Sequence, residues 1–233
     1  MKRRVKKLSV HMTPRETWMG WCYLPVQLLL LPGLLTELFV ACLPAAGGAW
    51  LNFVYYLINF TAVILIFHTF LKKSLETAGK NFWRLLQAVL VGFVCYYGAS
   101  LLLAGLIQRL QPGFSNVNDG TIARLSREDY CLMAVGTVVL VPPAEECLYR
   151  GMVFRWLYAR NRWVAYVLST LLFCAIHVMG YVGSYDAGTL ALCFLQYIPA
   201  GVCLAWAYET ADTIFAPILI HTAINAVGFC AMR

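Results

Sequence analysis

Residues 85–108 read LLQAVLVGFVCYYGASLLLAGLIQ and contain no charged side chain. An α-helix needs about 20 apolar residues to cross the roughly 30 Å hydrocarbon core of a bilayer, so this stretch predicts a transmembrane helix. Six further runs of similar length carry few charges, which predicts an all-α, polytopic transmembrane helix bundle in the cell membrane, with about seven spans. The predicted spans are residues 18–42, 50–71, 85–108, 131–157, 163–185, 187–208 and 213–232.

The composition agrees with a membrane location. Hydrophobic residues make up 61% of the chain and charged residues 12%, against about 25% charged in an average soluble domain. The mean hydropathy is +0.69. A soluble globule needs more polar groups to cover its surface, so an ordinary cytosolic enzyme, a secreted disulfide scaffold and a disordered chain are excluded. The nine cysteines lie mostly in apolar runs without a CxxC pair, and we interpret them as small packing residues.

The positive charge is distributed as in a membrane protein. The net charge is +7, but six of the 18 cations lie in the first fifteen residues, so we do not expect nucleic acid as a partner. A cytoplasmic N-terminus places 13 cations inside and 4 outside, with one, Arg150, left in the membrane. Cytoplasmic loops carry such an excess of Lys and Arg, which predicts an inner N-terminus and an outer C-terminus. The inner cations are Lys2, Arg3, Arg4, Lys6, Lys7, Arg15, Lys72, Lys73, Lys80, Arg84, Arg155, Arg160 and Arg162, and the outer ones are Arg109, Arg124, Arg127 and Arg233.

Three regions follow from this pattern. Residues 1–17 are predicted to form a basic cytoplasmic tail, residues 18–130 the first transmembrane helices with an extracytoplasmic loop, and residues 131–233 the helices that carry the motifs described below. The longest loop, 109–129, is polar and contains Gly and Asn turn signals. The apolar run 18–42 is longer than the apolar region of a signal peptide, so we interpret it as a retained span.

The fourth predicted span, CLMAVGTVVLVPPAEECLYRGMVFRWL, is unusual because it contains charged residues near its middle. Ionisable groups inside a span cost roughly 2.5–3.5 kcal/mol each to insert, so they indicate function. Glu146 and Arg150 are four residues apart and can pair on one helix face, whereas Glu145 points elsewhere. Pro142-Pro143 suits a helix start or a kink, because proline has no amide hydrogen. A start there would place both carboxylates in a first helical turn.

Two later spans each carry a pair of residues at a spacing of four, which puts both on one helix face. The pairs are Phe173 with His177, and His221 with Asn225. The three motifs in this order, EExxxR, FxxxH and HxxxN, are separated by about 30 and about 45 residues. They resemble the CPBP family of intramembrane proteases, also called type II CAAX prenyl endopeptidase-like, abortive-infection (ABI) or lysostaphin-resistance-protein-A-like. The resemblance covers residues 131 to about 228.

The resemblance implies an intramembrane endopeptidase and assigns a role to each motif residue. Glu145 is then the base that activates a water molecule, and His177 assists it. His221 and Asn225 lie where the family stabilises the oxyanion of the tetrahedral intermediate. The implied partners are a membrane-associated peptide or protein substrate and the lipid bilayer.

The resemblance also implies structural roles. Glu146 and Arg150 would form a pair that orients Glu145, and Phe173 would pack beneath His177. The family often has a further helix after the third motif, which we do not expect here because the sequence ends eight residues after Asn225. Family members include enzymes that trim prenylated CaaX tripeptides and others that process peptide precursors, and the sequence does not choose between these substrates.

The same residues permit chemistry with Zn²⁺ as a cofactor. Glu145, His177 and His221 form a set of two histidines and one glutamate, which catalytic zinc sites use with one position open for water. In that case Asn225 is not a ligand. An imidazole and an amide can equally stabilise an oxyanion without a metal. Both alternatives stay open, and we favour the metal-free site because the three ligands would come from three separate helices.

Two other functions are compatible with buried Glu, His and Arg residues. An ion-coupled transporter would usually show an inverted repeat, and the sequence has none that we detect. A non-catalytic membrane scaffold or bacteriocin-immunity factor would not need the complete set of motif residues. We therefore expect a protease, of metallo- or glutamate type.

Overall fold

The computed structural model describes residues 8–232, and this part of the chain folds into nine helices without a β-strand. An isolated bridge between Val182 and Tyr185 is the only β-type pairing among these residues. The prediction of an all-α fold is therefore confirmed. The helices are α1 (Pro14–Cys42), α2 (Gly48–Ile66), α3 (His68–Lys80), α4 (Phe82–Leu110), α5 (Val117–Glu128), α6 (Tyr130–Tyr158), α7 (Arg162–Met179), α8 (Ala187–Ala211) and α9 (Phe215–Ala231).

Six of these helices are long and apolar enough to cross a membrane: α1, α2, α4, α6, α7 and α8. Each coincides with one of the predicted spans. The seventh predicted span, 213–232, forms the apolar helix α9, which has 17 residues. At 1.5 Å per residue this helix is about 26 Å long, slightly shorter than the hydrocarbon core. The protein is thus a multi-pass membrane protein.

The interpretation of residues 109–129 as a loop without regular structure is wrong, because α5 lies within it. Asn116 starts this helix by accepting a hydrogen bond from the backbone N–H two residues further on. Ile122 and Leu125 are buried against the bundle, and the Glu128 carboxylate accepts a hydrogen bond from the first turn of α2. The polar composition of this segment did not indicate a helix, although α5 packs one face against the bundle.

The span predicted over residues 50–71 ends earlier than expected. Helix α2 stops at Ile66, and the separate helix α3 follows. Phe70, Ser74 and Ala78 are buried on one face of α3 at a spacing of four, whereas its lysines are exposed. An amphipathic helix of this kind lies with its apolar face against the protein.

The expectation that Glu145 and Glu146 lie in a first helical turn is wrong, because α6 runs without interruption from Tyr130 to Tyr158. The side chain of Asp129 caps its first turn, far from the carboxylates. The proline pair lies inside the helix, between two π-helical stretches, Val135–Leu140 and Cys147–Phe154. Such widened turns often occur at functional sites.

Part of the predicted N-terminal tail packs on the helices. Residues 1–7 lie outside the described residues, as does Arg233 of the outer cations. Leu8 and Val10 are buried, and the backbone N–H of Ser9 donates to Asp212 Oδ1 at 2.9 Å. Sequence patterning missed this docking, because a short segment without helical periodicity gives no sign of burial.

The interior of the bundle centres on α6 and α8. All eight residues of Cys147–Phe154 are buried, and α8 packs against α4, α7 and α9. A Cβ atom on Gly201 of α8 would lie 2.6 Å from Thr170 Cγ2 of α7. Glycine therefore permits a close approach of these two helices, which brings the Gly201 carbonyl within reach of α6.

The orientation of the bundle in the membrane remains a prediction from the cation distribution. Lys80 ends α3, and Ser115 lies beyond the other end of α4. Reporter fusions at Lys80 and Ser115 should therefore report opposite compartments, with Lys80 cytoplasmic. The same compartment at both positions would show that α4 does not cross the membrane, and an external Lys80 would reverse the predicted orientation.

Candidate active site

Glu145 of α6 and His177 of α7 face each other, with 4.0 Å between Glu145 Oε2 and His177 Nε2. The other ring nitrogen, Nδ1, donates a hydrogen bond to the Phe173 carbonyl oxygen at 2.8 Å. In a neutral imidazole this leaves the Nε2 lone pair directed at the side of Glu145. Glu145 Oε2 is buried and has no hydrogen-bond partner among residues 8–232. A separation of 4.0 Å is too long for a direct hydrogen bond and suits a bridging water molecule.

Glu146 occupies a fully buried position and binds two partners. Its Oε1 accepts hydrogen bonds from Arg150 Nη1 and from His221 Nδ1, each at 2.9 Å. The side chains of Glu146 and Arg150 are both 0% exposed. The predicted pairing of Glu146 with Arg150 is thus present. Glu146 also contacts His221 of α9 directly. Because Nδ1 of His221 is held by Glu146, Nε2 is the nitrogen left for other contacts.

Phe173 lies between the charged pair and the two histidines. Its ring centroid is 4.5 Å from that of His177 and 5.9 Å from that of His221. The Arg150 guanidinium lies 4.1 Å from the same ring, in a cation–π contact. Arg150 also donates to the Gly201 carbonyl oxygen at 3.4 Å. Phe173 thus fixes the distance between α6, α7 and α9.

Asn225 lies one helical turn after His221 on α9. Its Nδ2 donates to the carbonyl oxygen of Thr137 at 2.9 Å, within the first π-helical stretch of α6. The amide nitrogen carries two hydrogens, so one remains for another acceptor. This bond connects the third motif to the helix that carries the first.

Tyr197 belongs to the site, although sequence reasoning did not single it out. It lies where the two halves of α8 meet, and its ring stacks on His177 with centroids 4.2 Å apart and planes at 31°. Its hydroxyl donates to Asn116 Oδ1 at 3.3 Å. A tyrosine in an apolar span resembles any interfacial aromatic residue, and no signal in the sequence distinguished this one.

A cavity of about 820 Å³ opens inside the bundle, within the size range of small-molecule and cofactor sites. It brings together the four predicted catalytic residues, because Glu145, His177, His221 and Asn225 all line it. Phe173, Glu146 and Arg150 lie behind this wall and do not line it. The structure therefore separates residues that can touch a substrate from residues that support them.

Glu145, His177 and His221, the ligand set that the sequence permits, are not arranged as a three-ligand group in the structure. Between Leu8 and Met232, no group of three or more His, Cys, Asp or Glu side chains is arranged to hold an ion. His221, a member of the predicted ligand set, instead uses one nitrogen on Glu146. We therefore derive no catalytic step through a metal.

Comparisons with known proteins agree with the motifs. Residues 127–227 match the family model of type II CAAX prenyl endopeptidase Rce1-like proteins. The UPF0177 protein YbdI of Lactococcus lactis is 28% identical over 88 residues, which are 38% of this chain and 42% of that relative. The putative membrane peptidase YdiL of Bacillus subtilis is 26% identical over 184 residues, which are 77% of this chain and 70% of that relative.

The chain thus spans less than half the length of YbdI and about two thirds of YdiL. No solved structure matches the chain. The matched segment contains all three motifs and every residue assigned to the site above except Asn116 and its neighbours on α5. Residues 127–227 of this chain are therefore similar to the type II CAAX prenyl endopeptidase Rce1-like family.

Proposed function

We propose that the protein is an intramembrane endopeptidase that cleaves membrane-associated peptides or proteins with a water molecule activated by Glu145 and His177. The observation that carries this proposal is the facing pair of Glu145 and His177 on the wall of a cavity inside a membrane bundle. The match to the type II CAAX prenyl endopeptidase family supports the class of reaction.

The proposed reaction begins with a water molecule between the two side chains. Glu145 Oε2, which lacks a partner among the described residues, takes one proton from the water. His177 Nε2 accepts a hydrogen bond from the other O–H group of the water. The water oxygen then bonds to the carbonyl carbon of the peptide. When the C–N bond breaks, the proton on Glu145 passes to the leaving amine. The reaction consumes one water molecule and one peptide bond, forms a new C-terminal carboxyl group and a new amine, and regenerates the Glu145 carboxylate.

The oxyanion of the intermediate faces His221 and Asn225. Asn225 retains one amide hydrogen after it donates to Thr137. Because Nδ1–H donates to Glu146, His221 can donate from Nε2 only in the form that carries a proton on both ring nitrogens. Donors fixed in place before the reaction stabilise the developing charge at no cost of reorganisation.

A panel of fluorogenic peptides, each with and without a prenyl group, tests this function on the purified protein. We expect time-dependent cleavage of at least one peptide, and comparison of the two forms tells whether the substrate is prenylated. A transporter or a non-catalytic scaffold predicts no turnover of any peptide. Absence of cleavage across a broad panel, in detergent and in liposomes, would contradict the proposal.

We expect this activity to survive removal of metal ions, because the described side chains do not converge as a three-ligand site. Elemental analysis of chelator-washed, active protein provides the measurement. One zinc ion per chain, with activity lost on stripping and restored by added zinc, would overturn this expectation and return Glu145, His177 and His221 to the role of ligands.

A further inference from the structure

The charges around the cavity are unbalanced. Among residues 8–232, its lining contains two acidic side chains, Glu145 and Asp119, and no Lys or Arg, although the whole chain has a net charge of +7. Arg150, a buried cation behind the cavity wall, is already paired with Glu146. A cavity lined by one sign of charge within low-dielectric walls concentrates ligands of the opposite sign.

Asp119 lies in the first turn of α5 and has no partner among the described residues. Its carboxylate forms no hydrogen bond or ion pair with any residue from 8 to 232. The surrounding protein dehydrates it and raises the pKa of this carboxyl above its ordinary value, although the residue keeps access to open water. A partly dehydrated carboxylate without a partner gains most from a cation.

The polar side chains beside Asp119 are already engaged. Asn116 Oδ1 accepts from the Tyr197 hydroxyl, and Asn118 Oδ1 accepts from the Tyr181 hydroxyl at 3.1 Å. These contacts leave Asp119 as the unoccupied strong acceptor at this end of the cavity. They also connect α5 to His177 on the cavity wall, because Tyr197 stacks on His177.

A bound peptide could contact both the reacting atoms and Asp119, because Glu145, His177 and Asp119 line the same cavity. Tyr181 follows His177 by four residues, at most about 14 Å along the chain, and lies just beyond the end of α7. Its hydroxyl reaches Asn118, the residue next to Asp119. An extended peptide advances about 3.3 Å per residue. A substrate with its cleaved bond at Glu145 would therefore bring a side chain two to four residues away to Asp119.

We propose that Asp119 is a specificity-determining residue that binds a lysine or arginine side chain of the peptide substrate, two to four residues from the cleaved bond. The inference rests on the proposed function and adds a substrate class to it: a peptide with a basic residue near the scissile bond. The negative charge of Asp119 also stabilises α5, because it lies near the positive end of the helix dipole. The test must therefore separate substrate binding from helix stability.

Matched peptides provide the first test. Each pair has lysine or uncharged norleucine at one position within four residues of the cleaved bond, and kcat/KM is measured for both. For the unaltered protein we expect a preference of about threefold for lysine at one position, as for a solvent-accessible charge pair. In Asp119→Asn this ratio should fall to about one, and Asp119→Lys should reverse it in favour of norleucine. Glu76→Gln, which removes an exposed carboxylate outside the cavity, should retain the preference.

Binding provides a second test that does not depend on turnover. The same peptide pairs are titrated against Glu145→Gln protein with and without the additional change Asp119→Asn. If the lysine peptide binds more tightly than the norleucine peptide, and Asp119→Asn abolishes this difference, the result supports the proposal. It does so even if no peptide is cleaved, and in that case only the protease function fails. An unchanged lysine-to-norleucine ratio in Asp119→Asn would overturn the proposal. A lower melting temperature with an unchanged ratio would assign Asp119 to helix stability alone.

Discussion

Glu145→Gln is expected to lower kcat for peptide cleavage by at least about 10²-fold, with the protein still folded in the membrane. Glutamine keeps the size of the side chain, but its amide cannot take a proton from water. Glu145 forms no ion pair with Arg150, and its Oε2 has no hydrogen-bond partner among the described residues. Removal of its charge therefore leaves no other buried charge without a partner, so the loss should be confined to catalysis.

Initial rates of the purified variant and the unaltered protein on one peptide measure this effect, and melting temperatures verify the fold. Glu76→Gln, an exposed carboxylate on α3, is the matched control and should retain full activity. If Glu145 and His177 act on one water molecule, the double variant Glu145→Gln/His177→Ala should be no slower than the slower single variant. Full activity in Glu145→Gln would refute the protease mechanism.

The residues that sequence patterning found share one property, which is a local spacing. Glu146 with Arg150, Phe173 with His177, and His221 with Asn225 are each four apart, and helical geometry places such pairs on one face. The family resemblance supplied their order along the chain. Together with the order of the motifs, these patterns located Glu145, His177, His221 and Asn225, which all line the cavity, although their catalytic roles remain predictions.

The contacts that join the motifs could not be predicted in the same way. Glu146 and His221 are 75 residues apart in sequence, and the packing of α6 against α9 alone brings them together. Tyr197 is placed against His177 by the junction within α8. Asn116 reaches Tyr197 only because residues predicted as a loop form α5. Periodicity is a property of one helix, and it contains no information about which faces of different helices meet.

These long-range contacts make Arg150 the residue whose loss should cost the fold most. Its guanidinium is fully buried, binds Glu146, donates to Gly201 and lies over Phe173. Arg150→Met replaces it with an uncharged side chain and leaves the Glu146 carboxylate with His221 as its remaining partner. Loss of one member of a buried ion pair typically costs about 3–5 kcal/mol, because the other charge stays dehydrated. We therefore expect a sharp fall in folded yield and melting temperature.

The chain contains a matched exposed pair that calibrates this effect. Arg124 and Glu128 are also four residues apart on a helix and 3.1 Å from each other, but their side chains are 61% and 35% exposed. Arg124→Met should cost less than about 1 kcal/mol, because water screens such a pair. Adding Glu146→Gln to Arg150→Met should recover part of the lost stability, since no buried charge then lacks its partner. The measurement is the melting temperature and monodisperse yield of all four proteins in one detergent. A melting temperature for Arg150→Met equal to that of Arg124→Met would show that the buried pair does not hold α6, α7 and α9 together.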